Sequence, residues 1–267
     1  MFNIKIWLQM SPKHLYRFWF EVEGRLKKES KIFLMLDYDG TIVPIAEKPE
    51  LAILNPKVRL LLKNIVLRSG KFKVAIVSGR SIKDLKSLLR LKDIYYVGVH
   101  GLTVEGPNLK FTHREAVRVK PFIVKAYRDL AESLKGVSGV FVEDKGFTVA
   151  VHYRLAKENR RIIRERVLSV KAKYGCFRLL EGKKVFELTP NIDWGKGDAS
   201  LLLLKRFRFK HFPIYVGDDK TDEDAFKKLK DKGLTVVVGR KRFSEAKYYV
   251  KNVREVWFLL QKLLSLP

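Results

Sequence analysis

One cysteine in 267 residues, Cys176, excludes an internal disulfide and leaves no thiol cluster at metal-ligand spacing. The fold must then rest on its apolar core, in which Cys176 reads as a small half-buried hydrophobe. The length allows one large domain or two smaller ones. Uncharged apolar runs of membrane-spanning length are also missing. The start, "MFNIKIWLQMSPKHLYRFWFEVEGRLKKESK", breaks its apolar positions with polar and basic residues, unlike a signal peptide. Residues 1–30 are therefore expected to form a largely helical extension that packs on the body rather than on an anionic surface. A soluble, cytoplasmic protein, monomeric by preference, is the expectation. Acids are scarce too, with 29 Asp and Glu against 55 Lys and Arg and a formal net charge of +26. Such a charge favours any anionic partner, whether nucleic acid, lipid head group or sugar phosphate. The basic residues are dispersed, with no Arg/Lys block carrying aromatic stacking partners, so nucleic acid is not the expected partner. High charge with few Gln, Cys and Met matches a heat-adapted composition.

What is present is an alternation of strand and helix patterns. "KIFLMLDYDG" (31–40) and "FKVAIVSGR" (72–80) are short apolar runs ending in glycine turns. Between them "NPKVRLLLKNIVLRSG" (55–70) has helical spacing, with Asn55 as N-cap, Pro56 in the first turn and Gly70 as the stop. A helix over 81–91 and the run "IYYVGVHG" (94–101) continue the series. This predicts an α/β fold with a doubly wound, Rossmann-like parallel sheet, whose ligands bind beyond the carboxyl ends of the strands. From residue 108 to 189 the pattern becomes helix, hairpin, helix, hairpin, with turns at Lys145-Gly146 and Gly182-Lys183. That reads as a small inserted α+β cap domain within a core of 31–107 and 190–267.

Two acid clusters sit at predicted strand ends. "DYDGT" places Asp37 and Asp39 after the first run, and "GDDKTDEDAF" places Asp218, Asp219 and Asp222 after a later one. An EF-hand needs ligands that "DYDGTIVPIAEK" lacks at its fifth and sixth positions, and no P-loop is present. Thr221 as a helix N-cap accounts for the acids from Asp222 onward but not for Asp218 and Asp219. Carboxylates gathered at one sheet edge repel one another and favour a hard cation, Mg2+. The chemistry this suits is phosphoryl transfer, with Asp37 attacking phosphorus and Asp39 exchanging protons with the leaving oxygen and the water. "VSGRS" adds donors from Ser78, Gly79 and Arg80, and "WGKGDAS" adds Lys196.

In that order these elements resemble the four motifs of the haloacid dehalogenase (HAD) superfamily. More narrowly, "LDYDGTIVPI", "VSGRS", "GVHG", "EDKGFTVAVHYR", "EGKKVFELTPNIDWGKG" and "GDDKTDEDAF" resemble the trehalose-6-phosphate phosphatase family, over about residues 31–260. The resemblance implies a stand-alone phosphatase that turns trehalose 6-phosphate into trehalose and phosphate through an aspartyl-phosphate. It implies Asp37, Asp39, Ser78 and Lys196 as catalytic residues, with Gly40, Thr41, Gly79 and Arg80 around the phosphate. It further implies Mg2+ held by Asp37, the Asp39 carbonyl and Asp218, with Asp222 and Asp219 in support. In the insert it implies Glu143, Lys145 and Glu181 for the distal sugar. His100 and Arg154 are lesser candidates near the phosphate or the domain junction. Alternatives are a sucrose-phosphate or mannosyl-3-phosphoglycerate phosphatase of the same superfamily, a phosphomutase-like transferase, or an idle polyanion-binding protein.

Overall fold

The computed structural model describes residues 11–241 and 243–267. In chain order its elements begin with β1 (Lys13–His14), α1 (Trp19–Lys28), β2 (Ile32–Leu36), α2 (Pro56–Leu67), β3 (Phe72–Val77), α3 (Ile82–Leu89), β4 (Tyr95–Gly98), β5 (Thr103–Gly106) and β6 (Leu109–Thr112). There follow α4 (Arg114–Ser133), β7 (Phe141–Asp144), β8 (Val149–His152), α5 (Arg160–Tyr174), β9 (Phe177–Gly182) and β10 (Val185–Pro190). The chain closes with α6 (Lys196–Arg206), β11 (Phe212–Gly217), α7 (Glu223–Leu229), β12 (Leu234–Val238), β13 (Tyr248–Val250) and α8 (Val253–Leu264). Two compact units result: the described residues up to Leu109 with Trp194–Pro267, and Lys110–Asp193.

In the first unit the strands lie in the order β1-β13-β12-β11-β2-β3-β4, all parallel, and β5 adds an antiparallel strand beside β4. All five residues of β2 are buried because helices cover both faces of the sheet, which is why its sequence is uniformly apolar instead of alternating. Val58, Leu62 and Ile65 of α2 and Leu259 and Leu260 of α8 join one face's core. On the other face the ring of Phe226 from α7 meets Tyr215 edge-on. The N-terminal expectation divides: residues 1–10 lie outside the described residues, whereas α1 buries Val22 and Leu26 in the core. The strand β1 was not expected; it pairs with β13 through Lys13 and His14.

Local signals place most boundaries. Asn55 caps α2 by accepting from the Lys57 amide at 2.9 Å. The helix stops at Leu67, short of Gly70, because the Arg68 amide closes back on Ile65. Thr221 is not the cap before α7: the segment opens with a tight turn, Lys220–Asp222, capped by Asp219. From β2 the chain winds outward through β3 and β4, and from β11 it winds the other way through β12 and β13. The carboxyl ends of β2 and β11 thus frame the switch point where such sheets bind ligands.

The second unit is an antiparallel sheet, β7-β8-β10-β9, with α4 and α5 packed on one face. Its last turn is Lys183–Lys184, one residue later than expected, since Gly182 still pairs with Val185. Strand alternation sorts the side chains by face. Val142, Val151, Phe186 and Glu181 form a cross-strand row on the helix-covered side, and Glu143, Ala150, Glu187 and Leu180 form a row on the opposite side.

Candidate active site

Asp37 extends the β2 ladder by one bond, its amide donating to Val216 of β11 at 2.9 Å. Its carboxylate is thereby fixed at the switch point, almost wholly buried. One oxygen, Oδ1, accepts from Lys196 Nζ at 2.8 Å, and Oδ2 accepts from the Thr41 hydroxyl at 3.1 Å. Tyr38 points the opposite way and donates to the Ala52 carbonyl. The turn then depends on Gly40, at φ +81°, because a Cβ there would stand 2.2 Å from Asp218 Oδ2.

Lys196 opens α6 and is buried, its Nζ also 2.8 Å from Asp222 Oδ1. Asp222 is held on every side. Oδ1 also accepts from the Tyr215 hydroxyl at 2.8 Å, and Oδ2 accepts from the amides of Asp218 and Asp219 at 3.0 and 2.9 Å. Four donors fill the acceptor positions of a carboxylate. Burial pushes the Asp37 pKa well above the ordinary range; Lys196 opposes the rise, and the charges of Asp222 and Asp218 add to it. For Lys196 burial works against the charge, but Asp222 and Asp37 outweigh it and raise the pKa.

Asp37, Asp218 and Asp222 each bring a carboxylate oxygen within 4.8 Å of the others'. Against the one ammonium of Lys196 this leaves two formal negative charges in a buried pocket. A divalent cation would neutralise them, and oxygen-only donors suit Mg2+. The close approach of Asp218 that Gly40 permits brings its carboxylate to the β2 turn, where Asp37 lies.

At the neighbouring strand ends, Arg80 grips Asp39 by both oxygens, at 2.5 and 2.8 Å, and also donates to the Pro49 carbonyl. The Ser78 hydroxyl accepts from the Arg80 amide at 3.2 Å. The main chain of this turn is tied to Val99 and His100 by bonds from Val99 N to Arg80 O and from His100 N to Ser78 O. Both Val99 and His100 hold positive φ, +50° and +57°, a costly conformation for a β-branched residue, and the His100 ring is thereby laid against Gly79. In the second unit, on the sheet face opposite the helices, Glu143 meets His152 Nε2 at 2.8 Å. Buried Glu187 accepts from Lys145 at 3.0 Å and from the Thr148 hydroxyl at 2.6 Å.

A model of the trehalose-phosphatase family matches residues 35–255, which span every group just described. The chain belongs to the trehalose-phosphatase family. Probable trehalose-phosphate phosphatase 2 of Oryza sativa subsp. japonica is 36% identical over 290 residues, covering 94% of this chain and 75% of its own. The solved structure of a trehalose-6-phosphate phosphatase related protein superposes with a TM-score of 0.76 at 27% identity, over 87% of this chain and 96% of the other. The C-terminal domain of C. albicans trehalose-6-phosphate phosphatase reaches a TM-score of 0.82 at 20% identity, over 96% and 99%, a likeness of fold. Trehalose-phosphatases are phosphoric monoester hydrolases, and the core of this chain has the HAD fold that its four motifs implied.

Within this trehalose-phosphatase framework the residues named from sequence fall into groups. Asp37, Thr41, Lys196, Asp218 and Asp222 come together. Asp39, Ser78, Gly79 and Arg80 line the adjoining strand ends. Arg80, expected beside the phosphate, grips Asp39 with its fork, a carboxylate two residues beyond Asp37. Asp222, expected in the metal set, brings a carboxylate oxygen within 4.8 Å of those of Asp37 and Asp218 and also accepts from Lys196, Tyr215 and the amides of Asp218 and Asp219. Asp219 Oδ1 accepts from the Lys220 amide at 2.7 Å. Glu181 does not share a face with Glu143 and Lys145: it lies on the helix side, where Arg160 and Arg164 of α5 hold it at 3.0 and 2.9 Å. Arg154 is spent on the Lys183 carbonyl. Glu187 was missed; its signal is a polar position between Phe186 and Leu188 in an alternating strand. Among the described residues no helix is long and apolar enough to cross a membrane.

Proposed function

We propose that this chain is a Mg2+-dependent phosphomonoesterase that releases phosphate from trehalose 6-phosphate. The observation that carries the reading is Asp37, a buried carboxylate held between Lys196 and Thr41 at the switch point of the sheet. In the first step an Asp37 oxygen bonds to phosphorus as the bond from phosphorus to the sugar oxygen breaks, and that oxygen takes a proton from Asp39. In the second, Asp39 takes a proton from water as the water oxygen attacks the same phosphorus. The bond to Asp37 breaks, phosphate leaves, and both carboxyl groups are restored. Both Asp39 oxygens are paired with Arg80, so proton delivery requires Asp39 to exchange that partner for the leaving oxygen. Ser78, the Gly79 amide and Lys196 supply donors to the transferring oxygens, and Gly40 and Thr41 shape the loop beneath them.

Asp37, Asp218 and the Asp39 carbonyl would hold Mg2+. When bound, it supplies the positive charge that screens Asp37 from an incoming phosphate. At a hundredfold excess over its dissociation constant, Mg2+ is expected to stabilise the fold by about 2.7 kcal/mol. That corresponds to about 5–10 °C in melting temperature for a chain of this size. Thermal scans with Mg2+ and with chelator check this, and equal midpoints would sink the metal assignment.

The sugar hydroxyls are read by Glu143, Lys145 and Glu187, a mixed acceptor and donor set on the sheet face opposite the helices. Glu143→Ala is expected to lower kcat/KM on trehalose 6-phosphate about 10–100-fold, the loss of one or two charged hydrogen bonds. Turnover of p-nitrophenyl phosphate should stay within about twofold. An equal loss on both substrates would remove Glu143 from sugar recognition. The reading as a whole is tested by phosphate release from trehalose 6-phosphate beside sucrose 6-phosphate, mannosyl-3-phosphoglycerate and glucose 6-phosphate, with and without Mg2+. Preference for the first, with metal dependence, is the expected result; preference for another would keep the mechanism and change the substrate.

A further inference from the structure

The reaction just described makes no use of Tyr215, although its hydroxyl touches the group that shares Lys196 with the nucleophile. Tyr215 lies on β11 opposite Met35, so it projects from the same face as Asp37, one cross-strand row below it. The side chain is fully buried, its ring edge-on to Phe226 at 5.7 Å, and its hydroxyl donates to Asp222 Oδ1 at 2.8 Å. Directly above, Gly217 has no side chain, and a Cβ there would lie 2.3 Å from the Asp222 carboxyl carbon. The Asp222 carboxylate therefore occupies a slot floored by Tyr215 and roofed by the strand itself.

The consequence is electrostatic. Lys196 Nζ is 2.8 Å from Asp37 and 2.8 Å from Asp222, so the ammonium is divided between two carboxylates. The two acids compete for it in a buried setting where each hydrogen bond to a carboxylate matters strongly. Asp222 bonds through the same oxygen to both Lys196 and Tyr215. A neutral donor on that oxygen disperses its charge and weakens its hold on the ammonium. We propose that Tyr215 is a positioning residue that keeps Lys196 shared with Asp37 instead of captured by Asp222. The proposal rests on the phosphatase reading of this site, and adds the residue that sets where the phosphate-facing ammonium stands. A buried phenol also needs a partner for structural reasons alone, and the test must separate the two roles.

The test pairs Tyr215→Phe with Tyr96→Phe. Tyr96 makes a bond of the same kind, to the Leu91 carbonyl at 2.7 Å, on the stretch leading into β4 and away from the carboxylates. Both variants are expected to lose similar thermal stability. Tyr215→Phe should in addition lose tenfold or more in kcat on trehalose 6-phosphate and on p-nitrophenyl phosphate alike, with KM changed less than twofold, while Tyr96→Phe keeps wild-type kcat. A crystal structure of Tyr215→Phe supplies a readout independent of turnover: Lys196 Nζ should move toward Asp222 and out of hydrogen-bond reach of Asp37. An ammonium still equidistant from both acids, or a kcat within twofold of wild type, would overturn the proposal. A wild-type protein that hydrolyses none of the four sugar phosphates would overturn the phosphatase reading instead, leaving the position of Lys196 as the test of Tyr215.

Discussion

Asp37→Asn is expected to abolish phosphate release, with at least about a thousandfold loss of kcat, because an amide cannot form the aspartyl-phosphate that divides the reaction into two displacements. The fold should survive, and in chelator it should gain. Burial, with Asp222 and Asp218 adding, holds the Asp37 pKa well above its unfolded value. The folded state thus favours the protonated acid, and each rise in pH above the unfolded carboxylate range, near 4, makes folding less favourable as the group is forced to ionise. Asn carries no such charge. The difference in melting temperature between variant and wild type should therefore grow from pH 5 toward pH 8 without metal, and shrink when Mg2+ is added. Retention of a tenth of wild-type activity would remove Asp37 from the nucleophile's role. A stability difference that falls as pH rises would show that Lys196, not burial, governs its ionisation.

The second large effect belongs to Lys196→Met. The side chain is buried with Asp37 and Asp222 each 2.8 Å away, so its loss leaves carboxylates facing one another without their ammonium. Breaking a buried pair in this way costs about 3–5 kcal/mol. Its folded pKa is raised above the unfolded value, so its contribution is complete below about pH 10, the unfolded range, and fades only as pH climbs beyond it. Below about pH 10 the ammonium's own titration therefore adds no pH dependence, and any growth of the deficit in denaturant titrations between pH 6 and 9 reports Asp37, whose raised pKa makes the loss of its facing ammonium cost more as pH rises. Saturating Mg2+ should recover part of the stability, since a divalent cation meets the same excess of negative charge, but should not recover turnover. Full recovery of activity by metal would mean that Lys196 serves only to balance charge. A protein as stable as wild type would mean that the acids are not ionised together.

What the sequence reveals here follows from how local each decision is. Asn55 and Pro56 announce the start of α2 because a cap is made within three residues. Asp37 and Asp218 are legible as a pair because a parallel sheet forces strand ends onto one edge. The pairing of Arg80 with Asp39 was not, since a guanidinium fits phosphate and carboxylate equally well and only the position of the turn brings the two together. Glu181 follows Phe177 and Leu179 at alternate positions, yet Leu180 is apolar too, and nothing within the strand says which face α4 and α5 will cover. Glu187 carried the better signal, a carboxylate between Phe186 and Leu188, but its partners Lys145 and Thr148 lie on another hairpin. Tyr215 is the least legible, because "FPIYVG" reads as a uniform buried run and its hydroxyl's partner is a carboxylate in the next turn.

The position of β2 between β3 and β11 also bears on how the chain is made. Phe212 and Ile32, which align across that junction, are about 180 residues apart, so on a ribosome the β2–β3 pair is complete long before β11 emerges. Until then the edge of Ile32–Leu36 that β11 will cover is an apolar strand with open backbone donors and acceptors, the kind of edge that recruits other chains. The same interval separates Asp37 from the Asp222 and Asp218 that complete its pocket. Catalytic competence and protection from aggregation therefore arrive in a single late event, the docking of β11, and conditions that slow synthesis of the final third of the chain expose the nascent protein on both counts.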